Sequence, residues 1–155
     1  MLQDGDIAPD FELATDNGAP FKLSKLRGKP VVVYFYPKDD TSGCTIEAKD
    51  FSRLAPEFRQ AGIEVIGVSP DSVESHQKFR SKHELTIRLG ADADKVAAMA
   101  YGVWAEKSMY GRSYMGIERS TFLIDKVGRL AKSWRKVKVP NHAQEVLTAA
   151  RGLSR

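Results

Sequence analysis

Val31-Val32-Val33-Tyr34-Phe35-Tyr36 is an unbroken apolar run built wholly from β-branched and aromatic residues. Such a run suits a central strand buried on both faces. Pro37 ends it, because proline has no N–H to offer a strand ladder. Beyond a polar loop, Phe51, Leu54, Ala55 and Phe58 follow the i, i+3, i+4, i+7 stripe of an amphipathic helix. Pro56 falls inside that stripe and predicts a kink or a break, and Gly62 closes the segment. Ile63-Glu64-Val65-Ile66-Gly67-Val68-Ser69 reads as a second buried strand. With a helix-length segment between two such strands, a parallel, right-handed βαβ unit is the economical topology.

Asp71 or Ser72 can cap a further helix running to about His83, with Val73, His76, Phe79 and the Arg80 stem on its inner side. Asp94 predicts the start of a short Ala-rich helix through Tyr101, stopped by Gly102. Ser120-Thr121-Phe122-Leu123-Ile124-Asp125 reads as a third strand, and Lys126 to Arg129 as a turn. Leu130 to Val137 then returns as the antiparallel partner. Pro140 and Asn141 open a last helix with Ala143, Val146, Leu147 and Ala150 on its apolar side. Alternating strands and helices with a closing hairpin define an α/β fold with a mixed sheet. With no internal repeat or long linker, residues 1–155 are expected to form one domain.

Composition narrows the function classes. The 155 residues are 42% hydrophobic and 28% charged, which excludes general disorder. No apolar run approaches the ~18 residues of a membrane span. Met1-Leu2-Gln3-Asp4-Gly5-Asp6 does not read as a secretory signal, and with one cysteine no internal disulfide can form. The expected compartment is the cytoplasm. Lys and Arg total 24 against 20 Asp and Glu, a net +4. That excess reads as a mixed, solvated surface, with no nucleic acid among the expected partners. Even the basic stretch Lys132 to Lys138 alternates like an exposed strand. Asp39-Asp40 and Asp92-Ala93-Asp94 read as loop and capping acids, and His76, His83 and His142 lack ligand spacing with the cysteine. No metal site is expected.

The chemistry concentrates in Tyr36-Pro37-Lys38-Asp39-Asp40-Thr41-Ser42-Gly43-Cys44-Thr45-Ile46-Glu47-Ala48. With Thr41 as N-cap, Cys44 is the third residue of the helix, where free backbone N–H groups and the positive helix end favour a thiolate. An ordinary thiol of pKa ~8.5 is only about 3% ionised at pH 7. Making it almost fully ionised requires about 4 kcal/mol, and a helix terminus supplies roughly 0.3–2 kcal/mol. A fixed cation is therefore needed as well. The carboxyl end of a strand running into a helix amino terminus is also where open α/β sheets bind ligands. From the residues alone, the reading is a reactive thiol without a defined substrate.

Pro37, Thr41 and Cys44 match the Pro-x-x-x-Thr-x-x-Cys signature, and in this the chain resembles the peroxiredoxins. Phe35-Tyr36-Pro37-Lys38-Asp39 and Cys44-Thr45-Ile46-Glu47-Ala48 are similar to the bacterioferritin-comigratory, or PrxQ, branch. So are Gly5 to Phe11, Ser69-Pro70-Asp71-Ser72 with His76 and Phe79, Tyr101-Gly102-Val103-Trp104, and Arg119 to Asp125. The resemblance implies a thioredoxin-like fold, with a central mixed sheet flanked by helices and an N-terminal β-hairpin extension. It also implies thiol-dependent reduction of hydrogen peroxide and alkyl hydroperoxides, without metal or organic cofactor. Cys44 would be the peroxidatic cysteine, oxidised to a sulfenic acid. Thr41's hydroxyl would accept from the peroxide and donate toward the sulfur or a second oxygen, while Pro37 walls the pocket. Arg119 would be the cation, and Glu47 would orient it. Gly43 and the backbone N–H groups of Cys44 and Thr45 would face the substrate.

Two departures from the branch matter. Ser42 replaces the commoner proline, which leaves the turn an extra N–H and hydroxyl. No thiol stands at Lys49, or near Arg80 and Ser81, where relatives carry a resolving cysteine. Either this is a one-cysteine enzyme or its resolving cysteine has been replaced, with Ser81 the suspected position. In both cases the sulfenic acid must be resolved by an external thiol: thioredoxin, glutaredoxin or a small molecule. The alternative function is a peroxide-sensing or holdase redox switch using the same cysteine. A monomer is expected, with a dimer the other option.

Overall fold

The computed structural model describes residues 2–153. Met1, Ser154 and Arg155, which the one-domain and amino-terminal readings include, lie outside the described residues. In chain order the elements are β1 (Glu12–Thr15), β2 (Phe21–Lys22), β3 (Val31–Phe35), α1 (Ser42–Gln60), β4 (Glu64–Ser69), α2 (Val73–His83) and β5 (Arg88–Ala91). There follow α3 (Val96–Ala100), β6 (Trp104–Met109), β7 (Arg112–Ile117), β8 (Ser120–Ile124), β9 (Leu130–Trp134) and α4 (His142–Leu153). Seven strands form one mixed sheet in the order β2-β1-β5-β4-β3-β8-β9. β3, β4 and β5 are parallel neighbours, and the remaining pairs are antiparallel. The architecture is the thioredoxin-like α/β sheet, and β1 with β2 forms the N-terminal hairpin.

β3 is apolar throughout because the sheet is covered on both faces. Val32 and Tyr34, continued by Tyr36, enter the core under α1 and α4. Val31, Val33 and Phe35 enter the second core with Tyr101, Phe122 and the N-terminal segment. Strand alternation divides a single run between two cores. Tyr34 reaches across β4, where a Cβ on Gly67 would come within 2.6 Å of its ring. Glycine is required there by close approach.

α1 buries Cys44, Glu47, Ala48, Phe51, Leu54, Ala55 and Phe58, one continuous helical stripe. The helix runs unbroken through Pro56, contrary to the expected kink or break. Pro56 is exposed, and the carbonyl it leaves without a helical donor, that of Ser52, accepts from the Thr86 hydroxyl at 3.2 Å. The Thr86 backbone N–H also donates to Ser52 Oγ at 3.0 Å. These two bonds tie the middle of α1 to the loop entering β5.

Two local expectations need correction. The short helix starts at Val96, with Lys95 at its N-cap position, and the Asp92 carboxylate accepts from the Ala97 and Ala98 N–H groups. The last strand ends at Trp134, earlier than Val137. Trp104 begins β6, which pairs with β7 as a separate two-stranded ribbon that no residue pattern had pointed to. Its turn is Tyr110-Gly111, with φ of 53° and 76°. Two successive positive φ values define the type I′ turn that suits a two-residue hairpin.

Candidate active site

Cys44 sits at the third position of α1, just past the carboxyl end of β3. It continues backward the stripe that packs α1 on the sheet, so its sulfur faces inward and the residue is only 1% exposed. Arg119 immediately precedes β8, the antiparallel neighbour of β3. Its Nη2 donates to Cys44 Sγ at 3.3 Å, and its Nη1 to Glu47 Oε1 at 2.6 Å. Val137 N–H donates to the Arg119 carbonyl at 2.9 Å, which holds the backbone of that cation. One turn of helix separates Cys44 from Glu47, so both anionic groups line up under one guanidinium.

Gly43 lies against that guanidinium: a Cβ there would stand 3.2 Å from Arg119 Nη2. Its absent side chain makes room for the cation. Thr41 occupies the N-cap position, but its hydroxyl makes no bond to the helix amides. The hydroxyl donates to the Lys38 carbonyl at 2.8 Å. Its proton is therefore committed to the loop and not to the sulfur, and its lone pairs are left to accept. The Thr45 N–H is likewise engaged, donating to the Thr41 carbonyl at 2.8 Å, so it does not face the substrate as expected. Pro37 is half-buried at the end of β3, while Thr41 and Ser42 are exposed.

Burial pushes the Glu47 carboxyl up to about 7, against the opposing pull of Arg119. Its Oε2 is buried without a hydrogen-bond partner, as is the Tyr34 hydroxyl. Burial works against the charge of Arg119, but Glu47 and Cys44 outweigh it and hold the guanidinium above its ordinary value. Lys107 on β6 adds a second cation that sequence reasoning missed. Burial and Arg119 lower its ammonium, while Cys44 and Glu118 pull the other way. Lys107 lies on a mostly exposed ribbon whose apolar residues follow no buried alternation. Its placement is legible only once the fold is known to bring it within electrostatic reach of Cys44 and Arg119.

A thiol at a helix amino terminus, in contact with a guanidinium and beside the switch from parallel to antiparallel pairing, is equipped for nucleophilic attack on an electrophile whose leaving group departs as an anion. On this fold, that arrangement defines the class of thioredoxin-like thiol enzymes. The AhpC/TSA family pattern matches residues 5–133. Peroxiredoxin Bcp of Bacillus subtilis is 51% identical over 153 residues, covering 99% of this chain and 98% of its own. A cysteine-to-serine mutant of PrxQ from Xylella fastidiosa superposes with a TM-score of 0.94 at 39% identity, covering 100% of this chain and 99% of its own. The bacterioferritin comigratory protein of Xanthomonas campestris, studied for alkyl peroxide reduction, gives a TM-score of 0.89 at 43% identity, covering 94% of this chain and 92% of its own. The chain belongs to the AhpC/TSA family, in its peroxiredoxin Bcp/PrxQ branch.

Proposed function

We propose that Cys44 is the peroxidatic nucleophile of this thiol-dependent peroxidase. The observation that carries the reading is the 3.3 Å contact between Arg119 Nη2 and the sulfur at the third helical position. The Cys44 thiolate attacks the terminal oxygen of a hydroperoxide, so that an S–O bond forms as the O–O bond breaks. The leaving hydroxide or alkoxide takes up a proton and departs as water or alcohol. Arg119 stabilises charge on the sulfur and on the breaking O–O bond. The Thr41 hydroxyl oxygen accepts a hydrogen bond from the bound hydroperoxide, and Pro37 screens the thiolate from bulk water. Gly43 admits the guanidinium, and Glu47 orients Arg119.

With one cysteine in the chain, an external thiol then attacks the sulfenic sulfur, releasing water and forming a mixed disulfide that a second thiol reduces. Thioredoxin, glutaredoxin and small thiols are the candidate reductants. The Xanthomonas campestris relative, studied for alkyl peroxide reduction, supports alkyl hydroperoxides alongside hydrogen peroxide as substrates. We further propose that the chain works as one domain, as a monomer, in the cytoplasm, where a lone thiol stays reduced.

Intact-mass measurement after one equivalent of peroxide tests the first step. Addition of one oxygen at Cys44, lost in Cys44→Ser together with peroxide consumption, is the expected result. Peroxidase turnover retained by Cys44→Ser defeats the assignment. Many turnovers per chain with excess thiol mark an enzyme, whereas one equivalent marks a redox switch.

A further inference from the structure

The turn before the nucleophile, Pro37 to Thr41, is fastened to the rest of the molecule by its two acids. Asp40 has a φ of 60°, unusual for a residue with a side chain. It is exposed and meets Lys82 at 2.7 Å and His83 at 2.8 Å, both at the end of α2. Exposed pairs of this kind hold a loop weakly. Asp39 is buried and far better anchored. Its Oδ1 accepts from the Tyr36 hydroxyl at 2.6 Å, and its Oδ2 from Ser75 Oγ at 2.8 Å and His76 Nδ1 at 2.7 Å. Its backbone N–H donates to Asp71 Oδ2 at 2.8 Å, an oxygen that also accepts from Ser69 Oγ.

His76 is the centre of this network and is 0% exposed. Its other nitrogen, Nε2, is 2.9 Å from the Gly90 carbonyl on β5. A carboxylate and a carbonyl can only accept, so both ring nitrogens must donate and the ring is an imidazolium. A buried imidazolium paired with a buried carboxylate is costly to separate, because either partner alone is an uncompensated charge. The oxygens and nitrogen of Asp39, Asp71 and His76 that could ligate a cation, within 4.8 Å of one another, are all engaged in these bonds.

Cys44 is only 1% exposed, and its sulfenic acid must be reached by the sulfur of another molecule, a far bulkier reactant than hydrogen peroxide. Some part of the surrounding backbone has to open, and the segment that leads into Cys44 is Pro37 to Thr41. We propose that His76 is a positioning residue for this turn: clamped between Asp39 and Gly90, it latches the turn to α2 and β5 in the form that attacks peroxide, and release of the latch admits the external thiol. The proposal rests on Cys44 as the nucleophile.

The two half-reactions separate the proposal from a merely structural role. Oxidation of Cys44 by hydrogen peroxide and reduction of the sulfenic form by dithiothreitol are followed by rapid quench and intact mass, with Asp39→Asn, His76→Leu and His76→Asn. In Asp39→Asn and His76→Leu, peroxide oxidation slows about tenfold through misplacement of the turn. Dithiothreitol reduction quickens about fivefold as the open form gains population. In His76→Asn the amide nitrogen takes the place of Nδ1 against Asp39, and both rates return toward those of the unmodified protein. Rates within twofold of the unmodified protein in Asp39→Asn, or both half-reactions slowed together, overturn the latch. Should His76→Leu not fold, Asp39→Asn decides alone. Failure of the unmodified protein to gain oxygen at Cys44 would defeat the nucleophile assignment instead.

Discussion

Arg119 divides its two terminal nitrogens between Cys44 Sγ and Glu47 Oε1. When both anionic groups are charged, a single guanidinium faces two negative charges in a site largely closed to water. Removing it leaves the sulfur with helix amides and the more distant Lys107. Arg119→Met keeps much of the stem's packing and deletes the charge. The expected result is slower alkylation of Cys44 near neutral pH, since the thiolate loses the opposite charge beside it. Peroxide oxidation slows by about two to three orders of magnitude, as when a donor aimed at developing charge is lost. An unmoved alkylation profile, measured with iodoacetamide between pH 4 and 9, removes Arg119 from this role. The need for a cation could be argued from the sequence because the helix end alone falls short. Its identity could not be read locally, since Arg119 lies 75 positions from Cys44 and meets it only through sheet pairing. Family resemblance supplied what no periodicity could. By contrast, the burial of Glu47 was legible in principle, because the stripe through Phe51 and Phe58 extends back through positions 44 and 47.

At the scale of elements, α1 illustrates how a helix breaker is accommodated by tertiary structure. The rule that predicts a kink at Pro56 counts only the helix's own hydrogen bonds. The carbonyl of Ser52 finds its donor in Thr86, which lies 34 positions away in the sequence and is invisible to a local reading. The two sites should therefore be coupled. Thr86→Val is expected to cost about 1 kcal/mol in the natural background, the usual net value of one hydrogen bond. In a Pro56→Ala background the restored N–H of residue 56 can serve Ser52 itself, and the cost of Thr86→Val should fall by half or more. Urea unfolding of the four proteins measures the coupling directly. Strict additivity would show that the two sites act independently. The β6–β7 ribbon escaped for a different reason: Glu106, Ser108, Arg112 and Ser113 leave both of its faces solvated, so there is no apolar alternation to detect. The Tyr110-Gly111 turn was its one local signal. Of the elements that bury a face, β3, β4, β8, α1, α2 and α4 were announced by the sequence, whereas β5, a four-residue strand with Leu89 buried, was too short to stand out.

For the molecule as a whole, among the buried ionisable groups that set the pH range of stability, Glu47, His142 and His76 carry shifts of differing sign, and burial also raises Asp92 above its ordinary value. Glu47 is raised from 4.5 to about 7 by burial, with Arg119 opposing. Its contribution is complete below pH 4.5 and lost as pH rises through 7, on the order of 3 kcal/mol by linkage. His142, whose Nε2 lies 2.8 Å from the Thr121 hydroxyl, is lowered to about 4 by burial and, secondarily, by Arg119. Its contribution has the opposite sense: present above pH 6.5, and lost as pH falls through 4. Between about pH 4.5 and 6.5 the two slopes oppose one another, and the unfolding free energy should run nearly flat. Burial disfavours the charge on His76, but the Asp39 bond and charge prevail and raise its value above 6.5. Its stabilisation is lost as pH climbs through that raised value, in the same direction as Glu47. Stability should therefore fall on the alkaline side of pH 6.5. Glu47→Gln removes one of the two opposing slopes near pH 5, so the variant should gain stability with pH between 4.5 and 6.5 while the unmodified protein does not. It should also lose less than the unmodified protein between pH 6.5 and 8, since only the His76 contribution still declines there. Urea midpoints for both proteins at half-unit pH intervals test both limbs. Parallel curves would mean that the Glu47 carboxyl carries no such linkage.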